Sequence, residues 1–595
     1  MADIAKFRPG FHRAATADAT TSIELTQHDD TKTRAVAEQA SINEDPDKPT
    51  TLDRGLQRGV QNVELITQSW SKTSLIAVFA NIWLLYFVNY FSSSILYNLV
   101  PFVTSAYDSH SLLNVIYIVS NAMTAAMYIP LSKVLDVWGR AEGFALMVVS
   151  AILGLILMAT CNGLPMFCAA YVFWSIGTGG MTYCVDVVIA DISTLRNRGL
   201  AYAFTSSPYM ITAFAGAKAS EQFYENISWR WASGVFAIVF PIVAAPLFFI
   251  LNMDLRKAQK QVFDDTSRSG RSLLESIWHY TLGFDLFGVI LFSAGLTVFL
   301  LPFTIASNAP NGWASGYIIA MLVVGAVLLI GFGVFEWKIA PVPMLNFTFL
   351  SDRTLGGACL LDATYQVAYY CWANYFSSFL KVVNDLSISE AGYVGNASDV
   401  VSQVLLLLVG YAIRRTRRFK RLLYGAVHIY ILAQGLMIRF RQPNQSVGYL
   451  VFTQILISFG GSIFVIVFQV AILAAVDHQH VAAALALLFV VGTVGDALGA
   501  TISGGIWTNT FKQALVRNLP PSAKPDLEKI YEGLDKQLSY KVGGAVRLAI
   551  QKSYGYAQTR MLAAGTSFMG LSIIWTLMIR NINVGEVTQV HGAVF

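Results

Sequence analysis

Charge is what this sequence has least of. Asp, Glu, Lys and Arg make up 13% of it, about half the roughly 25% usual in soluble domains. A chain so poor in charge would offer water large adhesive patches. That argues against an ordinary cytosolic enzyme, a secreted domain or a nucleic-acid binder. The net charge of +5, from 41 Lys and Arg against 36 Asp and Glu, adds no nucleic-acid signal. Cysteine is scarce too. Cys161, Cys168, Cys184, Cys359 and Cys371 lie in or beside apolar runs and form no Cys-x-x-Cys pair. They supply neither a disulfide framework nor a thiolate metal site. No glycine-rich phosphate-binding loop is present, so ATP drive is not expected. His478 and His480 stand two apart in a short loop, where a solvated loop explains them better than a metal pair. The sequence implies no cofactor, no resident metal and no enzyme.

Apolar residues are abundant. They make up 55% of 595 residues, and the mean hydropathy is +0.53. A spanning helix takes ~20 of them. Fourteen apolar runs occur, at roughly 75–101, 112–131, 143–161, 165–189, 200–220, 232–251, 284–306, 316–336, 355–380, 389–412, 422–438, 447–475, 481–506 and 561–580. Runs of this length predict helices, since barrel strands need only ~10 alternating residues. The fold class is an all-α membrane protein with about 14 transmembrane helices.

Residues 1–73 are polar and predict a mostly disordered cytosolic tail. The first apolar run starts near Leu75, so no signal peptide is expected. Lys and Arg concentrate in alternate loops, among them Lys133, Arg140, Arg196, Arg198, Lys338 and the run Arg414-Arg415-Thr416-Arg417-Arg418-Phe419-Lys420-Arg421. Opposite loops hold few: Arg230, Lys381, Arg439 and Arg441. The basic side is read as cytosolic, with both termini on it. The basic run sets topology, with contact to anionic lipid as the alternative. One loop on the other side is long, from about Trp507 to Arg560. In it Ile530, Leu534 and Leu538 repeat at helical spacing, which predicts a helix.

The loop Ser132-Lys133-Val134-Leu135-Asp136-Val137-Trp138-Gly139-Arg140 resembles the major facilitator pattern Gly-x-x-x-Asp-x-x-Gly-Arg, with Ser132 in place of the first glycine. There Asp136 can accept from a helix N-terminus or an arginine, and Gly139 permits a tight turn. Asp136, Gly139, Arg140 and Arg198 are the expected gating residues. The plainer alternative is a turn with solvated charges. With fourteen spans this fits a major facilitator fold of 6+2+6 helices: a bundle over 74–251, a linker over 252–283, an extra pair over 284–336, a second bundle over 355–580 containing the long loop 507–560, and a tail over 581–595. Such halves are parallel repeats around a midplane site.

Four stretches then resemble fungal siderophore–iron transporters of the major facilitator superfamily. They are Leu99-Val100-Pro101-Phe102 through Leu113; Asp186-Val187-Val188-Ile189-Ala190-Asp191 with Leu195-Arg196-Asn197-Arg198-Gly199; Ser207-Pro208-Tyr209 through Trp229-Arg230-Trp231; and Ala475-Val476-Asp477 through Trp507. The resemblance covers about 55–580. It implies proton-coupled import of ferric hydroxamate siderophores, of the triacetylfusarinine C type, across the plasma membrane. The implied partners are a ferric siderophore, protons and membrane lipid, with no nucleic acid, and a monomer is expected. Alternatives are a fourteen-helix drug–proton exporter and a nutrient sensor that does not transport.

The residues support transport independently. Asp186, Asp362, Asp399 and Asp496 fall inside apolar runs. A midplane charge costs roughly 2.5–3.5 kcal/mol on insertion scales unless it is paired, solvated or protonated. These four are the candidate proton-coupling residues, with helix packing as the bland alternative for Asp496 among Gly492, Gly495 and Gly499. Lys218 and Glu221 lie one turn apart and are expected to pair. Aromatic and amide stripes mark the candidate substrate contacts: Tyr86 and Tyr90, Asn121, Tyr365, Tyr369 and Trp372, Gln454 and Gln469. Interhelical hydrogen bonding is the alternative. Tyr531 and Tyr540 of the long loop are candidates for substrate capture, against a purely structural cap.

Overall fold

The computed structural model describes residues 72–107, 109–262, 275, 281–306, 309–340, 351–477 and 480–586. The N-terminal tail, most of the 252–283 linker, His478 and most of the C-terminal tail lie outside the described residues.

Every described segment of length is helical, as lipid requires, because only a helix satisfies its own backbone within one segment. In chain order the long helices are α1 Lys72–Ala106, α2 Leu113–Val137, α3 Arg140–Thr160, α4 Leu164–Asp191, α5 in two pieces (Leu195–Ser206 and Tyr209–Gln222), α6 Trp229–Val262, α7 Leu286–Leu300, α8 Gly316–Lys338, α9 Arg353–Ala373, α10 Ala397–Thr416, α11 Lys420–Phe440, α12 Val447–Leu473, α13 Val481–Asn518 and α14 Ala545–Met569. Short helices extend four of them: Pro302–Ile305 follows α7, Phe376–Val383 follows α9, Ile388–Gly395 precedes α10 and Ser572–Met578 follows α14.

Among the described residues, twelve helices are long and apolar enough to cross a membrane. The fifth and ninth apolar runs are absent from that set. α5 is interrupted at Ser207-Pro208, where proline lacks the N–H that would continue the helix. α9 is long enough at 21 residues, but Asp362, Gln366 and three tyrosines lower its hydropathy; it stops at Ala373 and resumes at Phe376.

α1 packs on α5 and α6, α3 on α4 and α6, and α2 on α4. Likewise α9 packs on α13 and α14, α11 on α12 and α14, and α10 on α12. The two sets meet crosswise: α2 lies against α13, and α5 against α10. The second helix of each set of six thus meets the fifth of the other. The α7–α8 hairpin packs on itself, and α7 lies along α2.

Backbone contact fixes the α3–α4 crossing. A Cβ at Gly177 would stand 2.2 Å from the Ala151 nitrogen, and one at Gly154 2.3 Å from that of Trp174. Small residues at such crossings let helices approach where lipid offers no hydrophobic drive.

Two expectations about the long loop are corrected. α13 runs on to Asn518 and α14 begins at Ala545, so the connection covers 519–544 rather than 507–560. At 1.5 Å per residue, the 38-residue α13 is far longer than the ~30 Å apolar layer, so its polar end projects beyond it. Tyr554 and Tyr556 consequently belong to α14. The apolar repeat does not form one helix either: it breaks at Gly533 into Leu527–Glu532 and Leu534–Leu538. Together these close over one end of the bundle. Ile530, Tyr531 and Leu534 are fully buried. Glu532 accepts from the Ser111 backbone N–H (3.0 Å) and hydroxyl (2.8 Å), and the Leu534 N–H donates to Ser105 Oγ (2.8 Å). Arg547 of α14, with no exposed surface, donates to the carbonyls of Gln537 (2.7 Å) and Val382 (3.0 Å).

Two outcomes follow from this packing. Gly177→Leu should cost at least about 1–3 kcal/mol of overpacking and greatly reduce the monodisperse protein recovered in detergent chromatography. Unchanged recovery and melting temperature would contradict the close crossing. Secondly, burial pushes the Glu532 carboxyl above its ordinary range, against the opposing hydrogen bonds from Ser111. A raised folded-state value stabilises the docked cap below the ordinary carboxylate range, and that contribution is lost as pH rises through the raised value. Hydrogen exchange in 527–538, corrected for intrinsic rates, should therefore be slower at mildly acidic pH than at neutral pH. Glu532→Gln should flatten the difference.

Candidate functional site

The four carboxylates do not share one site. Asp186 is buried on α4, and both of its oxygens are engaged. Oδ1 accepts from the Tyr86 hydroxyl of α1 (2.9 Å) and Oδ2 from Gln469 Nε2 of α12 (3.0 Å). Leu164 opens α4 and Val447 opens α12. Asp186 and Gln469 each stand 22 positions further on, at one register of the fourth helix in each set of six. The hydrogen bond thus joins equivalent positions across the bundle. Tyr90 stacks on Tyr86 at 5.3 Å, and the Tyr202 hydroxyl donates to the Asp186 carbonyl (3.1 Å).

Asp399 is half-buried near the start of α10, and its Oδ2 accepts from Tyr209 of α5 (3.2 Å). It lines a cavity of 250 Å³ between the two sets of helices. Tyr97, Tyr369, Trp372, Trp174 and Phe376 form much of the wall, with Ser94, Asn98 and Ser377 between them. Two other residues on the Asp399 face are committed elsewhere. Asn396 donates to the Ala213 carbonyl (2.9 Å), and Gln403 accepts from Ser206 (2.9 Å).

Asp362 lines a second cavity of 140 Å³, together with Tyr365, Gln366 and Gln469. A Cβ on Gly492 would stand 2.4 Å from Asp362 Oδ2. Asp496 lies one turn further along α13, half-buried, its Oδ1 without a partner. The glycines around it do pack closely on α9: a Cβ at Gly495 would meet the Ala363 carbonyl oxygen at 2.6 Å.

At the end carrying the basic loops, Arg140 joins two loops. Its Nη1 donates to Asp136 Oδ1 (2.8 Å) and to the Leu135 carbonyl, and its Nε to Asp191 Oδ2 (3.1 Å). All three side chains are buried. Gly139 has φ +139°, a backbone that other residues rarely adopt. Arg198 is fully buried and donates to the carbonyls of Ala190 (2.8 Å) and Ser193 (3.1 Å). The two sets touch here through Tyr183, whose hydroxyl donates to Ala482 O (2.7 Å), and through Arg196 Nε donating to Arg414 O (3.2 Å).

The capped end is tied as well. Asn374 donates to Asn114 (2.6 Å), Tyr375 to the Ser111 carbonyl (3.1 Å) and Tyr97 to the Ala373 carbonyl (3.1 Å). Trp507 stacks on Tyr375 at 4.1 Å and on Phe511 at 4.0 Å. The expected Lys218–Glu221 ion pair is present, and Glu221 also accepts from Ser389 (3.1 Å). The two sets are thus tied to each other at both ends.

Of the aromatic and amide candidates, Tyr369 and Trp372 line the larger cavity, and Tyr365 and Gln469 the smaller. Tyr86 and Tyr90 surround Asp186 instead. Asn121 and Gln454 line neither cavity, and Gln454 is buried. Tyr531 is fully buried beneath the cap, against Phe511 and Lys512, so in this conformation its ring is not offered for capture. Tyr540 is half-buried, with Lys536 over its ring.

Two cations read as lying in short loops are interior. Lys381 belongs to Phe376–Val383, is buried, and lies 4.3 Å from the Phe102 ring centre. Arg441 has no exposed surface. Its guanidinium stands 3.9 Å from the Trp372 ring centre and 3.7 Å from that of Phe376, and its Nε and Nη1 have no hydrogen-bond partner. Nothing in Arg439-Phe440-Arg441 distinguishes this arginine from an interfacial one; only the fold brings the two rings to it. Among the described residues no three His, Cys, Asp or Glu side chains converge as a metal site would require.

Comparison with known proteins places this geometry. The Major Facilitator Superfamily model matches residues 82–361. The chain is 55% identical to the siderophore iron transporter mirB of Emericella nidulans, over 94% of this chain and 92% of that protein. It is 49% identical to MFS siderochrome iron transporter B of Aspergillus fumigatus, over 95% and 91%. It is 52% identical to MFS siderochrome iron transporter 1 of Gibberella zeae, over 95% and 93%. Among solved structures, a bacterial homolog of the human lysosomal transporter Spinster, inward-facing and unoccupied, has a TM-score of 0.52 at 15% identity, covering 86% of this chain and 98% of that one. The human organic anion transporter MFSD10 has a TM-score of 0.50 at 12% identity, covering 85% and 99%. These two share the fold alone. The crosswise helix packing and the extent of identity to the fungal proteins agree: this multi-pass membrane protein belongs to the siderophore iron transporters of the major facilitator superfamily.

Proposed function

We propose that the protein imports ferric hydroxamate siderophores of the triacetylfusarinine C type, together with protons, across the plasma membrane by alternating access. In this reading the interrupted α5 and α9 also cross, which gives fourteen spans arranged 6+2+6. The basic end and both termini face the cytosol, and the protein works as a monomer. The observation that carries the reading is the Asp186–Gln469 hydrogen bond. It places a carboxylate of one set of helices on an amide of the other, deep in the bundle.

A hydrogen bond to a charged acceptor is roughly twice as strong as one to a neutral acceptor. Protonation of Asp186 weakens its hold on Gln469 and releases the two sets at the basic end. Loss of the proton to the cytosol restores the bond and resets the transporter. Asp399, held by Tyr209 across the same divide at the cavity, ties the ligand space to the same motion. Asp362 and Asp496 are further candidates for the proton path. The Asp136–Arg140–Asp191 network, with Gly139 and Arg198, forms the cytosolic latch. The 250 Å³ cavity is below the ~300–1,000 Å³ of pockets for drug-sized ligands, so it must widen to admit a ferric chelate.

Two measurements test the reading. Accumulation of labelled ferric siderophore in a transport-deficient cell should collapse on addition of a protonophore; unchanged accumulation in proteoliposomes without a proton gradient would overturn proton coupling. Asp186→Asn keeps the shape and one acceptor oxygen but cannot titrate. It should retain siderophore binding while losing the pH dependence of uptake and most of the accumulation, on the order of tenfold or more. Wild-type uptake and pH profile at normal surface abundance would reject Asp186.

A further inference from the structure

The turn between α10 and α11 gathers six cations in eight residues, Arg414-Arg415-Thr416-Arg417-Arg418-Phe419-Lys420-Arg421. Lys420 serves the fold: it donates to the Ile579 carbonyl at the end of the helix that follows α14. The five arginines are exposed, and among the described residues none of their side chains has a hydrogen bond or an ion pair. Nearby carboxylates are engaged with other residues. Asp352 pairs with Arg580 (3.5 Å), and Glu586, beside the Gly585 that packs on Arg417, accepts from Asn583 (2.6 Å). Membrane topology needs positive charge at this end, but that rule counts lysine and arginine alike. It does not account for five guanidinium groups among six cations. The guanidinium fork matches phosphate and carboxylate with paired hydrogen bonds, which an ammonium cannot do.

The depth of these arginines points to the same chemistry. On α10, Leu408, Tyr411 and Arg415 fall on one face, and Leu408 and Tyr411 are both 60% exposed. On α11, Arg421, Tyr424 and Leu432 fall on one face, with Tyr424 42% and Leu432 61% exposed. Neither stripe borders the two cavities of the interior. Both are turned outward, where a membrane protein meets lipid. Tyrosines at the ends of such stripes sit at headgroup level. Each is followed, one turn or about 5 Å further out, by an arginine. A long stem lets a guanidinium settle among the lipid phosphates.

We infer that the α10–α11 turn is a binding site for an anionic phospholipid of the leaflet at the basic end. Arg414, Arg415, Arg418 and Arg421 hold its headgroup, and Tyr411 and Tyr424 lie against the upper parts of its chains. Phosphatidylserine suits the site, because its headgroup offers both a phosphate and a carboxylate to the forks. The site lies outside the bundle interior and is independent of which substrate is carried.

The test titrates purified full-length protein in detergent with fluorescent short-chain phosphatidylserine and phosphatidylcholine. Wild-type protein should prefer the serine lipid by about tenfold or more. A variant carrying Arg414→Lys, Arg415→Lys, Arg418→Lys and Arg421→Lys keeps the charge, and with it the topology, but loses the forks. Its affinity for phosphatidylserine should fall about tenfold, the effect of one lost charge-assisted hydrogen bond, with phosphatidylcholine unchanged. Where that variant is not monodisperse, the Arg418→Lys, Arg421→Lys pair carries the decision. Equal wild-type affinity for the two lipids would overturn the inference. Undiminished phosphatidylserine binding by the lysine variant would overturn it too, since diffuse charge would then suffice, as would equal losses for both lipids. Full displacement of the lipid by equimolar glycerophosphoserine would replace it with a site for soluble anions.

Discussion

A carboxylate deep in a lipid-embedded bundle must be neutralised, solvated or held by donors, and the way Asp186 is held governs the rest of the interior. Its neighbours are a tyrosine and a glutamine rather than a cation. An arginine or lysine there would fix the charge and hold the aspartate ionised. Neutral donors leave both protonation states accessible at modest cost, since each can keep at least one hydrogen bond. The amide comes from the equivalent register of the other set of helices, so the state of one side chain is felt by both sets at once. The crossed packing of α2 on α13 and α5 on α10 makes that equivalence geometric.

The same scarcity of water explains the arginines. Arg140, Arg198 and Arg547 are buried, and each donates to carbonyls or carboxylates at a helix end, where backbone acceptors lack partners within the helix. They fasten loops to one another at the two ends of the bundle. Arg441 differs. It is equally buried, but it meets aromatic faces and leaves two nitrogens without partners.

The spans were legible because hydropathy reports depth in lipid, and each of the fourteen apolar runs falls on a helix. Depth says little about where a helix ends. α13 continues through Thr508, Asn509 and Lys512 on polar residues that hydropathy assigns to a loop. The Asp136 loop was legible as a motif, and Arg140 four residues on was a visible partner. Asp191, from a different loop, was not, because nothing local ties it to Arg140. Asp186 stood out as a charge in an apolar run, yet its meeting with Gln469 depends on the matched registers of two helices 283 residues apart in sequence. Lys381 and Arg441 were read as loop cations because each flanks an apolar run, and Tyr531 was read as a capture residue of the long loop with a structural cap as the alternative. Their burial comes from the cap and from tertiary contacts that no local pattern encodes.

The two sets of helices are tied at both ends, and the rings are used differently at each. At the basic end Tyr183 donates to the Ala482 carbonyl and Arg196 to that of Arg414, while Tyr128 and Tyr183 also pack on Phe489 of the other set. Rings and hydrogen bonds there both cross the divide. At the capped end the stack of Tyr375, Trp507, Phe511 and Tyr554 lies within the second set, beneath the buried Ile530 and Tyr531. What joins the first set to it is a pair of neutral hydrogen bonds, from Asn374 to Asn114 and from Tyr375 to the Ser111 carbonyl. Separating the sets at that end therefore breaks neutral hydrogen bonds and leaves the ring stack of the second set whole.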